Sequence, residues 1–211
     1  MRHHAVEPLV TKRCIHRSSR LGQATTEQGN SEGVPLLYRP TFWRSAAALV
    51  LMTGTPLPLW AELNTPIAAR VLTFLLPAPK GPMQAAIIFN PDNAASIADA
   101  LAIEHAIGSG MPVGNTVIRT RRIATTTLDG LRGYRAAFVT AGLRKEQEAI
   151  AAAAIRNSVV TITSDLACVQ AGRCVVGIGS GPHTQITVSR AASRAVGARF
   201  GSAFLMLVKE I

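Results

Sequence analysis

The residues best suited to chemistry cluster late in the chain. Cys168-Val-Gln-Ala-Gly-Arg-Cys174 is a cysteine pair with five residues between its members, and Cys14 is the third and last cysteine. In an oxidising compartment a lone pair at this spacing closes a disulfide, worth about 2–3 kcal/mol for so short a loop. In a reducing compartment the same residues are buried free thiols. A switchable redox pair is a third reading, although the spacing is not Cys-x-x-Cys. A zinc site is not expected, since residues 62–211 offer neither a second cysteine pair nor a histidine pair. Ser164-Asp165 follows a strand end, where α/β proteins bind ligands or partners. The plainer reading is a helix cap. Gly177-Ile-Gly-Ser-Gly-Pro-His183 has the glycines of a phosphate loop but lacks the Gly-Lys-Ser/Thr ending. A strand follows it, so a hairpin turn is the better reading. The histidines of this region, His105 and His183, show no serine or cysteine partner, and no Gly-x-Ser-x-Gly elbow occurs. No catalytic constellation, cofactor site or catalytic metal set emerges from these residues.

A second cluster is cationic. Arg119, Arg121 and Arg122, with Arg132, Arg135 and Arg144, suit an acidic partner or lipid headgroups, or a plain solvated surface. Aromatic residues make up 5% of the chain and do not interleave with these arginines, which argues against nucleic acid.

The elements that position these residues lie in the second part of the chain. Of 211 residues, 48% are hydrophobic, enough for a core, and the formal net charge is +10. Residues 1–61 carry seven Lys/Arg and three acids, leaving +6 on residues 62–211. Residues 1–40 lack apolar periodicity and read as a disordered leader, or as sequence upstream of a later start such as Val34. Residues 41–61 have the layout of a cleavable signal peptide: Arg39 and Arg44, then a short apolar core from Ser45 to Met52, then Leu59-Trp60-Ala61. An uncleaved anchor or a buried helix are the alternatives; Leu59 is larger than the residue usual at its position. Residues 62–211 then form one exported domain of about 150 residues.

Within that domain the patterns alternate. An apolar opening at 67–78 is helix or strand. Strands are predicted at Gln84–Phe89, Asn115–Arg121, Arg135–Thr140 and Val159–Thr163. Helices are predicted at 94–107, with Ile97, Ala100, Leu101 and Ile107 broadly on one side, and at Lys145–Arg156, with Glu146 and Glu148 in the first turn. Cys174–Ile178 and Thr184–Val188 form a hairpin, 190–196 a short helix, and Ser202–Lys209 a terminal apolar helix. The expected fold is α/β: a single domain with a mixed, mostly parallel sheet, helices on both faces, and a C-terminal hairpin plus helix.

From about residue 133 the chain resembles the YfiR-like (YfiR/HmsC) periplasmic proteins, and more weakly so from residue 67. The resemblance rests on RAAFVTAGL, Thr163-Ser164-Asp165, Cys168 to Cys174, Gly177, Ala191-Ala192 and the apolar stretch Phe200 to Leu207. Ser189-Arg190 stands where the family often has Asn, and one cysteine pair stands where some relatives have two. The resemblance implies a non-enzymatic periplasmic domain that binds and represses an inner-membrane signalling protein such as a diguanylate cyclase, restraining cyclic-di-GMP signalling and biofilm formation. It implies no stable lipid anchor and leaves room for a homodimer. Ile88-Phe-Asn-Pro-Asp-Asn93 also looks like the first strand and helix of ABC-type substrate-binding components. The alternative function is therefore a periplasmic small-ligand-binding component of a transporter or sensor.

Overall fold

In a computed structural model of the chain, residues 62–181 and 183–211 are described. The expected leader (1–40), the expected signal peptide (41–61) and Cys14 lie outside the described residues. The central strand β1, Gly81–Phe89, explains the architecture around it. Ala85, Ala86, Ile87 and Ile88 are buried in succession, so both faces of the strand are covered. The same holds for β4 (Ala136–Val139) and β5 (Val160–Thr163), every residue of which is buried. Strands of this kind belong to a sheet sandwiched by helices.

The remaining strands are β2 (Met111–Val113), β3 (Thr116–Ala124), β6 (Val176–Gly179), β7 (Gln185–Val188) and β8 (Lys209–Glu210). The eight-stranded order is β2-β3-β1-β4-β5-β6-β7-β8. Only the β2–β3 and β6–β7 pairings are antiparallel. The fold is α/β with a mixed, mostly parallel sheet, as expected. Helix α2, Ala94–Ile107, links β1 to β3, and α3, Gln147–Asn157, links β4 to β5. These crossovers run in opposite directions along the sheet. With right-handed connections they therefore cover opposite faces. Ala100, Ile103 and Ile107 seal one face, and Ile150, Ala153 and Ala154 the other.

Local chemistry settles the ambiguous opening. Asn64 accepts the Ile67 amide at 3.2 Å and Pro66 sits in the first turn, so residues Thr65–Val71 form helix α1. Four expectations need correction. The buried face of α2 is Ser96, Asp99, Ala100, Ile103 and Ile107, whereas Leu101 is 49% exposed. Ser96 and Asp99 turn inward because they bond loop groups beyond the strand ends. Glu146 precedes α3 as its N-cap position, leaving Glu148 in the first turn. A five-residue helix, α4 (Leu166–Gln170), occupies the stretch before the hairpin. The expected terminal helix is only α6, Ser202–Leu205; the chain then turns and pairs as β8 beside β7. Arg190 holds that end: its amide donates to Ile211 O at 2.9 Å and its guanidinium meets Glu210 Oε2 at 2.8 Å. The helix predicted at 190–196 is α5, Arg190–Ala195.

Cys168 and Cys174 are joined by a disulfide, both buried. It ties α4 to the segment entering β6. Helix α4 sits directly on β6 at Gly177, where an added Cβ would lie 2.8 Å from both Leu166 Cδ2 and Val169 Cγ2. Val169 is fully buried and β-branched, so it cannot swing aside cheaply. Gly177→Ala is therefore expected to cost about 1–3 kcal/mol in urea unfolding, and an unchanged midpoint would refute the tight seat. Replacing both cysteines by serine should cost about 2 kcal/mol. Equal stability of the double variant and the oxidised protein would show that the bridge does not constrain the chain.

Candidate functional site

The connections leaving parallel strands diverge where the strand order reverses, and here that is between β1 and β4, which pair side by side. Beyond the carboxyl ends of β1, β4, β5 and β6 lies a cleft of about 1110 Å³. Its walls come from four loops: Asn90 to Asn93 after β1, Ala141 to Glu146 after β4, Ser164 to Ala167 after β5, and the β6–β7 turn with Ser180 and His183. This is the position at which open α/β sheets bind ligands.

The floor is fastened by hydroxyl and amide groups. The Asn90 amide donates to Ser96 Oγ at 2.8 Å, Ser96 Oγ lies 2.6 Å from Thr140 Oγ1, and Thr140 Oγ1 donates to Ile88 O at 3.0 Å. Because the Thr140 proton is committed to Ile88, Ser96 donates to Thr140. The Asn90 side chain donates to Glu146 Oε1 at 2.9 Å and accepts the Asp92 amide at 2.9 Å. Asn93 caps α2 through the Ala95 and Ser96 amides and donates to Gly142 O at 3.2 Å. Gly142 has φ +80° and leaves no room for a Cβ beside Asn93, so glycine is required there.

Ser164 and Asp165 both line the cleft. Asp165 is the cap that the plainer reading expected: it accepts the Ala167 amide at 3.0 Å and starts α4. It also accepts from Gln147 Nε2 at 3.0 Å and faces Arg144 Nε at 3.7 Å. Arg144 is 80% exposed, so that ion pair contributes at most about 1 kcal/mol. His183 lines the cleft from the hairpin turn. The hairpin reading of Gly177–His183 holds, since Val176–Gly179 of β6 pair antiparallel with Gln185–Val188 of β7.

Arg119, Arg121 and Arg122 do not reach this site. They lie exposed on β3, on the far side of β1 from the β4–β6 loops. Arg122 pairs with Glu104 at 3.4 Å and lies over the Phe89 ring. His105 is exposed on α2, away from the cleft. Sequence reasoning missed Asn93, Gly142, Lys145 and Glu146 as site residues. The signal available for them was their position, directly after predicted buried strands. Among the described residues no three His, Cys, Asp or Glu side chains gather as a metal site. Among them, too, no helix is long and apolar enough to cross a membrane.

No family model matches the chain, and no curated protein matches it. A solved structure shares its fold. A conserved domain protein from Vibrio cholerae O1 biovar El Tor superposes with a TM-score of 0.53 at 10% identity, over 71% of this chain and 60% of that one. A substrate-binding protein with adhesive properties from Clostridium difficile, in its ligand-free, open form, gives a TM-score of 0.49 at 11% identity, over 61% of this chain and 54% of that one. The chain thus spans less than two thirds of either protein. At such identity the Vibrio protein speaks for the fold alone.

Asp99 secures the wall after β4. It is buried, and its Oδ2 accepts the Ala141 amide at 2.8 Å. Burial pushes its pKa above the ordinary carboxylate value and outweighs the Ala141 and Leu63 backbone groups, which pull it down; the Glu62 charge adds to the rise. A raised folded-state pKa means that the neutral acid is favoured by folding. The associated stability is full at low pH and is lost as pH rises through the folded-state value. Relative to Asp99→Asn, the wild type should therefore gain stability as pH falls from 7 towards the usual carboxylate range. Urea unfolding of both proteins across that interval checks the sign; a pH-independent difference would contradict it.

Proposed function

We propose that this chain is a periplasmic, non-enzymatic binding domain of the YfiR-like kind, which docks on the periplasmic part of an inner-membrane signalling protein such as a diguanylate cyclase and holds it down. One observation carries the reading beyond the sequence resemblance. Met206 and Leu207 stand side by side, 81% and 82% exposed, in the terminal stretch on which that resemblance rests. A large apolar pair left in water at a chain turn supports a contact surface for a partner. Docking biases the partner's conformational equilibrium in proportion to its preference for one state. The Cys168–Cys174 disulfide supports an oxidising compartment, and export through a signal peptide supplies it.

A second reading has its own observation. The cleft at the sheet's reversal point has the place and size of a small-ligand site. A ligand-binding component of a transporter or sensor would use it, and so would a regulator that senses a solute.

Cross-linking the exported protein in its native envelope, followed by mass spectrometry, tests the first reading. A membrane cyclase or sensor is expected as the main capture, falling about tenfold with Met206→Asp/Leu207→Asp. Capture of a transporter permease, or capture unaffected by the double substitution, would overturn it.

A further inference from the structure

Strand β3 has an open backbone edge flanked by unpaired arginines, and we infer that this edge docks an acidic extended segment of a partner protein, which joins the sheet as a further strand. The contact is separate from the Met206-Leu207 surface and from the cleft, so it stands or falls without them.

The edge is open because β2 is short. Strand β1 pairs all nine residues of β3 on its inner side, from Thr116 to Ala124. On the outer side β2 pairs only with Thr116, Val117 and Ile118. Gly110, just before β2, still lies against Val117 and Arg119. Beyond that point Thr120 to Ile123 have no outer strand among the described residues, and no loop backbone bonds them. An edge of this kind presents unpaired N–H and C=O groups, a template for another chain.

The side chains select the occupant. Successive side chains of a strand alternate between faces. Arg119 and Arg121 therefore share one face, and both are exposed. Arg122 stands on the other, where Glu104 already meets it at 3.4 Å. Arg135 is exposed and directly precedes Ala136, the partner of Ala85 on β1; this sets it beside Gln84, itself the partner of Arg119. Arg119, Arg121 and Arg135 have no ion-pair partner among the described residues. Strands lie about 5 Å apart and same-face residues of one strand about 7 Å apart, so these charges repel across roughly one Debye length. A strand laid along the open edge brings its side chains to about 5 Å from those of β3. Carboxylates at every second position then meet Arg119 and Arg121, and guanidinium groups favour that pairing.

Other occupants fit less well. A second copy paired edge to edge sets one arginine-rich strand against another. A membrane surface is gripped best where cations and exposed apolar side chains share a face. Here the exposed pair Met206-Leu207 lies by the β7–β8 end of the strand order, opposite the end that holds β3.

Fluorescence anisotropy of labelled decapeptides, titrated with the purified, disulfide-intact protein at low ionic strength, tests this. The peptides are a Glu-Val repeat, a Lys-Val repeat and a Glu-Pro repeat. The last keeps an acid at every second position but loses half its amide donors and disfavours strand pairing. Vesicles of phosphatidylglycerol and phosphatidylcholine are the lipid probe. The Glu-Val repeat should bind about tenfold more tightly than either other peptide and should slow hydrogen exchange within Thr120–Ile123. Arg119→Ala/Arg121→Ala should weaken it about tenfold, whereas Arg194→Ala, at an exposed arginine of α5, should leave it unchanged. Arg119→Glu/Arg121→Glu should reverse the preference towards the Lys-Val repeat, a result that loss of fold does not produce. Equal binding of the Glu-Val and Glu-Pro repeats would overturn strand addition. Vesicle binding that depends on Arg119 and Arg121, without binding of the Glu-Val repeat, would overturn the peptide in favour of a lipid surface. Binding of none of the probes would overturn the site, while the Met206-Leu207 docking proposal would stand on its own cross-linking result.

Discussion

Everything at the working end of this domain hangs on how β1 is fastened to β4 where the sheet reverses direction. The chain leaves β1 and β4 in opposite directions there, so the backbone groups just past the ladder need partners of their own, and burial makes an unpaired group expensive. The chain answers with one continuous run of donors: Asn90 amide to Ser96, Ser96 to Thr140, Thr140 to the Ile88 carbonyl. The Thr140 amide reaches the same carbonyl at 3.2 Å. Each bond polarises the next, so the run is stiffer than its members would be singly. It fixes the start of α2 relative to the end of β4, and hence the mouth between them. Asp99 and Asn93 extend the same fastening to Ala141 and Gly142.

A second constraint lies further along the sheet. Helix α4 is five residues long, too short to be stable through its own hydrogen bonds. It is held by three external features: the Asp165 cap, the Cys168–Cys174 bridge, and the close seat of Leu166 and Val169 on Gly177. Asp165 therefore links two tasks. It starts a helix that needs a cap, and it presents a carboxylate to Arg144 and Gln147 at the cleft. The apolar pair Met206-Leu207 lies near the β7–β8 end of the sheet, away in strand order from the β1–β4 reversal.

The legible part of the fold was the part governed by local burial. Runs such as QAAIIF, RAAFV and VVTIT are apolar on both faces, and only a covered strand uses such runs at that length. The α2 boundaries were equally plain, because Asn93 is a strong cap and Gly108 ends the helix. Short elements were not legible. Strand β2 contains Pro112 and three residues in all, and β8 contains two. Neither carries a pattern, and both exist because a neighbouring strand offers unpaired backbone groups. The inward face of α2 misled for a different reason. Ser96 and Asp99 look like solvent residues by type, yet each is bound to a loop more than forty positions away.

The sequence by itself determined the class of fold, the order of its main strands and helices, the cysteine pair and the cap at Asp165, since each follows from residue type and near neighbours. Tertiary structure decided which of these meet. It brought Asn90, Lys145, Glu146, Asp165 and His183 to one cleft, and it placed Arg119, Arg121 and Arg122 across the sheet from it. The physical reason is strand order. Connections that reverse along a parallel sheet gather loops from distant parts of the chain at the carboxyl ends of its strands, and no local pattern of residues encodes that adjacency.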